Sequence, residues 1–153
     1  MRHVIGIDFG NTITYKPADG PRVCYPDALR VIRRMVDAPD TSVYIISKVD
    51  EEQEKRAKAW IDLSNFYLHT GLTPANVHFC RERAEKGAIA RDLGLTHHID
   101  DRPEVMAFMP PSVFKYLYEP IPEDVVVWFN KLLNTQVVNN WLEVEEKIFA
   151  QYD

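Results

Sequence analysis

Asp8 closes a short apolar run, Val4-Ile5-Gly6-Ile7, and is followed by Gly10-Asn11-Thr12, small and polar residues that let the chain turn sharply away. This pattern predicts a strand with a carboxylate at its exit, and in open parallel sheets ligands sit beyond the carboxyl ends of the strands. Two later strand exits carry groups of similar promise. Ser47-Lys48 end a β-branched and aromatic run, and Asp100-Asp101 end His97-His98-Ile99, with Lys86 near the start of the helix ahead of that last strand. Each has a plainer role when taken singly. Asp8 could cap a turn, Asp100-Asp101 could cap a helix begun by Arg102-Pro103-Glu104, Ser47 could be a turn residue, and Lys48 and Lys86 solvated lysines. Their joint placement at successive strand ends is what points to chemistry.

The elements that must position these groups alternate. Strands are predicted over residues 4–7, 41–46, 77–80, 97–99 and 113–117, and helices over 26–37, 50–69, 83–93 and 103–109. In the first helix Leu29, Ile32 and Val36 have helical spacing. In the second, Ala57, Trp60, Ile61, Ser64 and Leu68 form an inner stripe and Gly71 supplies a stop. Residues 15–25, with Pro17, Asp19, Gly20 and Pro21, read as a loop. Regular alternation implies a parallel sheet covered on both faces, because each return crossover needs a helix. The expected architecture is therefore a three-layer α/β/α sandwich around a mostly parallel, five-stranded sheet of Rossmann-like type. The tail breaks the alternation. Residues 125–133 and 137–149 read as two helices, a C-terminal extension (121–153) on a core of 1–120. They are expected to pack on the sheet's flank, with a homodimer interface or a lid on the site as alternatives.

A chain of 153 residues with 46% hydrophobic and 27% charged residues fits one globular domain. The net charge of -5 argues against general nucleic-acid binding or a membrane-surface role, since phosphate backbones and anionic lipids repel an acidic body. Cys24 and Cys80 lack metal-type spacing and read as free thiols, which favours a reducing compartment. The run before Asp8 is too short for a signal peptide and no apolar stretch reaches transmembrane length, so a cytoplasmic protein is expected.

The order of an Asp-x-x-x-Thr turn, a Ser after the second strand, a Lys ahead of a Leu-Gly step, and a closing acidic pair resembles the haloacid dehalogenase-like hydrolases, most of which are phosphatases. The resemblance runs from residue 4 to about residue 105 and is best in IGIDFGNTI and EKGAIARDLGLTHHIDDRPEV. It implies a Mg2+ cofactor and a phosphorylated small molecule or macromolecule as substrate. Asp8 would be the nucleophile that forms an aspartyl-phosphate and, with the Gly10 carbonyl and Asp101, a metal ligand. Asp100 would act on the metal through water or from behind it. Ser47 and Lys86 would hold the phosphate, and Asn11, Thr12 and Lys48 would lie along the substrate. Mg2+ suits the chemistry, because a carboxylate can approach a phosphate dianion only if a cation neutralises the encounter.

The sequence departs from the family at one position. Most of its phosphatases carry a second aspartate two residues after the nucleophile, to protonate the leaving oxygen, and here that position is Gly10. General acid-base help is worth about 10²- to 10⁴-fold, so three explanations compete: a substrate with a good leaving group, a substitute acid (Tyr15, Lys16 or Asp50), or phosphate binding without turnover. Short intervals on both sides of the second strand leave no room for an inserted cap domain, so an open site is expected. IGIDFGNT also resembles the first phosphate loop of the actin and heat-shock-chaperone ATPases, but a hairpin after the loop and a second Gly-rich loop are missing from the sequence.

Overall fold

The computed structural model describes residues 1–152. Its centre is β1 (His3–Ile7), buried along its whole length as expected of a strand covered on both faces. Five more strands complete a wholly parallel sheet: β4 (Thr41–Lys48), β5 (Val77–Cys80), β6 (His97–Asp100), β7 (Phe114–Tyr118) and β8 (Thr135–Val138). Their order is β5-β4-β1-β6-β7-β8. The chain builds outward from β1 in one direction, returns, and builds outward in the other. Between β1 and β6 the crossovers diverge, the point at which parallel sheets open a crevice.

Helices cover both faces: α1 (Ala28–Asp37), α2 (Glu51–Leu63), α3 (Phe66–Thr70), α4 (Arg83–Leu93), α5 (Pro103–Phe108), α6 (Pro122–Trp128) and α7 (Trp141–Phe149). One core gathers Ile5, Ile7, Val31, Ile32, Ile45 and Ile61 with Trp141 and Ile148, and a smaller one on the other face gathers Ile46, Ala90, Val105, Met106 and Leu117. Gly87 allows α4 and α5 to meet, since a Cβ there would lie 2.4 Å from the Phe108 carbonyl oxygen.

The sequence reading needs four corrections. The sheet has six strands, because residues 135–138, partly assigned above to a helix, form β8 beside β7. The last helix starts only at Trp141, where the Asn140 side chain accepts from the Glu143 amide as N-cap. The helix expected over 50–69 is two, broken where Asn65 takes a left-handed φ of 56°, and the break turns Leu68 out to solvent. Where a loop was expected over 15–25, β2 (Thr14–Tyr15) and β3 (Val23–Cys24) pair as a minimal antiparallel hairpin apart from the main sheet, so a hairpin does follow the first loop although none was expected from the sequence. Cys24 and Cys80 are free. No helix among the described residues is long and apolar enough to cross a membrane.

Candidate active site

Strand register sets the geometry. Ile7 of β1 pairs with Ile45 of β4 and with Ile99 of β6, so Asp8 and Asp100, each one residue further on, leave the sheet at the same level. The Asp8 amide donates to the Ile99 carbonyl at 2.9 Å and locks that level. Beyond Asp8 the chain makes a tight loop in which the amides of Ile13 and Thr14 both donate to the Phe9 carbonyl, at 2.9 and 3.1 Å. Asn11 takes a φ of 59° there, a conformation Asn tolerates better than most residues. The Thr12 hydroxyl turns back and donates to Asp8 Oδ2 at 3.2 Å.

Lys86, four residues into α4, reaches down between the strand ends. Its Nζ lies 2.8 Å from both Asp8 Oδ1 and Asp100 Oδ2, and only 2% of the side chain is exposed. Asp100 also accepts from the Arg102 amide at 3.1 Å and meets His98 Nε2 at 3.1 Å. Carboxylate oxygens of Asp8, Asp100 and Asp101 all lie within 4.8 Å of one another.

The charges respond to this crowding in different directions. Burial alone would raise Asp100, but the Lys86 charge and the His98 hydrogen bond outweigh it and hold the carboxyl well below its ordinary value. Burial would lower Lys86, yet the charges of Asp100 and Asp8 keep its ammonium firmly protonated. Asp8 is raised by burial first and by the Asp100 charge second, against the opposing pull of Lys86. Asp101 is pushed up to about 9, by burial and then by the charges of Asp8 and Asp100. One lysine therefore serves two of three acids, and the third is left with excess negative charge around it.

These groups line an open cavity of about 340 Å³, together with Gly10, Asn11, Ser47 and Lys48. Of the residues picked out from sequence, Thr12 lies elsewhere. It is wholly buried, excluded from the cavity by its bond to Asp8 and by its carbonyl accepting from Trp141 Nε1 at 2.9 Å. None of the proposed substitute acids reaches the cavity either. Asp50 caps α2, Lys16 Nζ donates to the Gly20 carbonyl, and Tyr15 packs on Tyr25. The sequence reading missed the rest of the lining, notably Arg22, Gln53, Arg56, Arg83 and Arg102. The spacing of Gln53 and Arg56 from the Asp50 cap could have suggested that their helix face borders the Ser47 exit. Arg22 carried no sequence signal.

Three carboxylates with one compensating lysine form a hard oxygen donor set, and the raised Asp101 marks a place where a cation would relieve repulsion. The arrangement fits a divalent ion such as Mg2+. No protein-family model and no curated protein matches the chain. Among solved structures, the chain is similar to one from Burkholderia xenovorans LB400 provisionally described as a haloacid dehalogenase-like hydrolase. The TM-score is 0.59 at 15% identity over 80% of this chain, which spans 57% of that chain's length. At this identity the likeness speaks for the fold alone: the chain shares the α/β fold of that structure.

Proposed function

We propose that the protein is a Mg2+-dependent phosphatase-type hydrolase with Asp8 as its nucleophile. One observation carries the reading: three carboxylates within 4.8 Å at the ends of β1 and β6, with a buried lysine 2.8 Å from two of them. Asp8, Asp101 and the Gly10 carbonyl would hold the metal, with Asp100 behind them orienting Lys86. Bound there, the ion neutralises phosphate charge and so lets a carboxylate approach.

The remaining work belongs to the chain. An Asp8 oxygen attacks phosphorus, the bond to the leaving oxygen breaks with its electron pair, and an aspartyl-phosphate forms. Water then attacks phosphorus, which releases phosphate and restores the carboxylate. Thr12 aims Asp8 through its hydroxyl, at 3.2 Å. The Ser47 hydroxyl and Lys86 bind phosphate oxygens, and Asn11 and Lys48 meet the substrate nearer the mouth. The cavity stands open among the described residues, which supports a phosphorylated small molecule or an exposed phosphate on a macromolecule as the substrate. With Gly10 in place of a carboxylic acid, alkyl esters turn over slowly and good leaving groups are favoured. The free thiols of Cys24 and Cys80 support a reducing, cytoplasmic setting.

Gly10 also supports a second reading, in which the site binds a phosphate ligand without turning it over. Hydrolysis of 4-nitrophenyl phosphate separates the two. The phosphatase reading expects Mg2+-dependent release of nitrophenolate that Asp8→Asn abolishes. A wild-type protein that binds orthophosphate in Mg2+ but releases no nitrophenolate supports the binding reading instead.

A further inference from the structure

Six cations line the cavity: Arg22, Lys48, Arg56, Arg83, Lys86 and Arg102. Three of them have acid partners. Lys86 lies between Asp8 and Asp100, Arg83 pairs with Glu104 at 2.9 Å, and Arg56 approaches Glu52 at 3.8 Å. The other three, Arg22, Lys48 and Arg102, form no ion pair among the described residues, although the Arg102 charge acts on the neighbouring Asp101. Two uncompensated cations, Arg22 and Lys48, with Arg102 only partly answered by Asp101, are more positive charge at one cavity of a protein with net charge -5 than the dianion of a single phosphate calls for.

Their placement says where the extra negative charge belongs. Lys86 is at the buried floor, whereas Lys48 and Arg102 are exposed and Arg22 is half-buried. Phosphoryl transfer runs in line, so with Asp8 attacking from the floor the leaving oxygen points toward the mouth, where these cations stand. At Gly10 a Cβ would have one neighbour within 4 Å, Arg22 Nη1 at 4.0 Å. The same Nη1 donates to Thr14 Oγ1 at 2.9 Å, and the guanidinium lies over the Phe9 ring at 5.9 Å, so it is held in place. An arginine keeps its proton in proteins. It can stabilise a departing anion but cannot protonate one.

Resting on the phosphatase reading above, we propose that Arg22 recognises the leaving group and that the substrate is a phosphoanhydride, a diphosphate whose leaving group is itself a phosphate. An Asp8 oxygen bonds to the terminal phosphorus. The bond from that phosphorus to the bridging oxygen breaks, and the electron pair stays on the bridging oxygen, which leaves as a phosphate oxyanion of low basicity. Water hydrolyses the aspartyl-phosphate to orthophosphate, Asp8 carboxylate and a proton released to solvent. Arg22 meets the bridging oxygen, and Lys48 and Arg102 take the remaining charge of the departing phosphate.

Turnover of pyrophosphate, a nucleoside diphosphate and 4-nitrophenyl phosphate is compared in wild type, Arg22→Gln and Arg22→Lys. Arg22→Gln is expected to lower kcat/KM on the two diphosphates about 100-fold and on the aryl ester about tenfold or less, with Arg22→Lys recovering part of the loss. A preference for one diphosphate over the other tells whether a nucleoside contributes. Equal losses on all three substrates overturn the proposal. Calorimetry on Asp8→Asn in excess Mg2+ provides a test independent of turnover. Pyrophosphate should bind at least about tenfold tighter than orthophosphate, with the preference reduced by adding Arg22→Gln or, at an exposed position, Lys48→Gln. Equal binding of the two anions overturns the diphosphate assignment while leaving the phosphatase reading intact. Absence of Asp8-dependent turnover of any substrate overturns the phosphatase reading, and the diphosphate substrate assignment with it.

Discussion

Replacing Lys86 with Met tests the arrangement on which the site depends. The methionine chain follows much of the lysine's path but removes the ammonium that lies 2.8 Å from Asp8 and from Asp100, in a side chain only 2% exposed. Removing one partner of a buried ion pair costs about 3–5 kcal/mol, because the other charge is left desolvated and unpaired. Against a total stability of about 5–15 kcal/mol for a domain, that is a severe loss. The two carboxyls will respond by holding protons. Without Lys86 the folded-state pKa of Asp100 rises above that of the unfolded chain and that of Asp8, already raised, rises further, so the folded variant binds more protons and its stability falls as pH increases. Each such group contributes a slope of up to about 1.4 kcal/mol per pH unit between its two pKa values. The penalty should therefore be far larger at pH 8 than at pH 5, and Mg2+ should relieve part of it at pH 8 by supplying the missing positive charge. Urea unfolding followed by circular dichroism at both pH values, with and without Mg2+, reads all three effects. A penalty below about 1 kcal/mol at pH 8, or one equal at the two pH values, would refute the claim that Lys86 balances two ionised buried carboxylates.

Gly10→Asp is sterically open, since only Arg22 Nη1 comes within 4.0 Å of a Cβ there. The new carboxyl should raise turnover of alkyl phosphates while, by pairing with Arg22, it lowers turnover of diphosphates. Steady-state kinetics on one substrate of each kind would show a change in the ratio, and an unchanged ratio counts against both roles. The carboxyl of Asp101, pushed up to about 9 by burial and by its two acidic neighbours, holds a proton at neutral pH when no metal is bound. Between its unfolded value and about 9 the folded state binds the extra proton, so metal-free stability should fall as pH rises, and Mg2+ should reverse the trend by displacing that proton. Mg2+ titrations at pH 7 in buffers of different ionisation enthalpy should reveal proton release, and heats that do not vary with buffer would contradict it.

The parallel sheet was legible because buried parallel strands advertise themselves as apolar runs, and β1 and β4 carry such runs in VIGI and VYII. Asp8, Ser47 and Asp100-Asp101 were legible for the same reason: a strand that can be located also locates its exit. The sixth strand was not. Thr135–Val138 is only four residues long, and Val137 and Val138 lie close enough to Trp141 and Leu142 to be absorbed into a helical pattern. Asn140 preceding Trp141 was the available sign that the helix began later. The break between α2 and α3 depended on the left-handed conformation of Asn65, which Asn tolerates but does not require, so its presence alone does not announce a break. Arg22 was invisible for a deeper reason. It sits in a turn-rich stretch with no periodicity, and its position over Phe9 and beside Gly10 exists only once the hairpin has folded back on the first loop.

That folding back bears on the tail as well. Among the described residues none after Val105 lines the cavity, so α6 and α7 do not cover it in this structure. The tail reaches the site from behind. Trp141 is completely buried, its indole Nε1 donates to the Thr12 carbonyl at 2.9 Å, and the Thr12 hydroxyl donates in turn to Asp8 at 3.2 Å. β8 and the two-arginine clasp of Arg30 and Arg34 on Glu145 fix the helix that carries this tryptophan. A carboxylate must be held within about 0.5 Å of its productive position to act as a nucleophile, and a glycine-containing loop does not supply that rigidity unaided. Here the bonds from Trp141 to Thr12 and from Thr12 to Asp8 tie in a residue more than a hundred positions away, so the C-terminal segment braces the Asp8 carboxylate from outside the cavity lining.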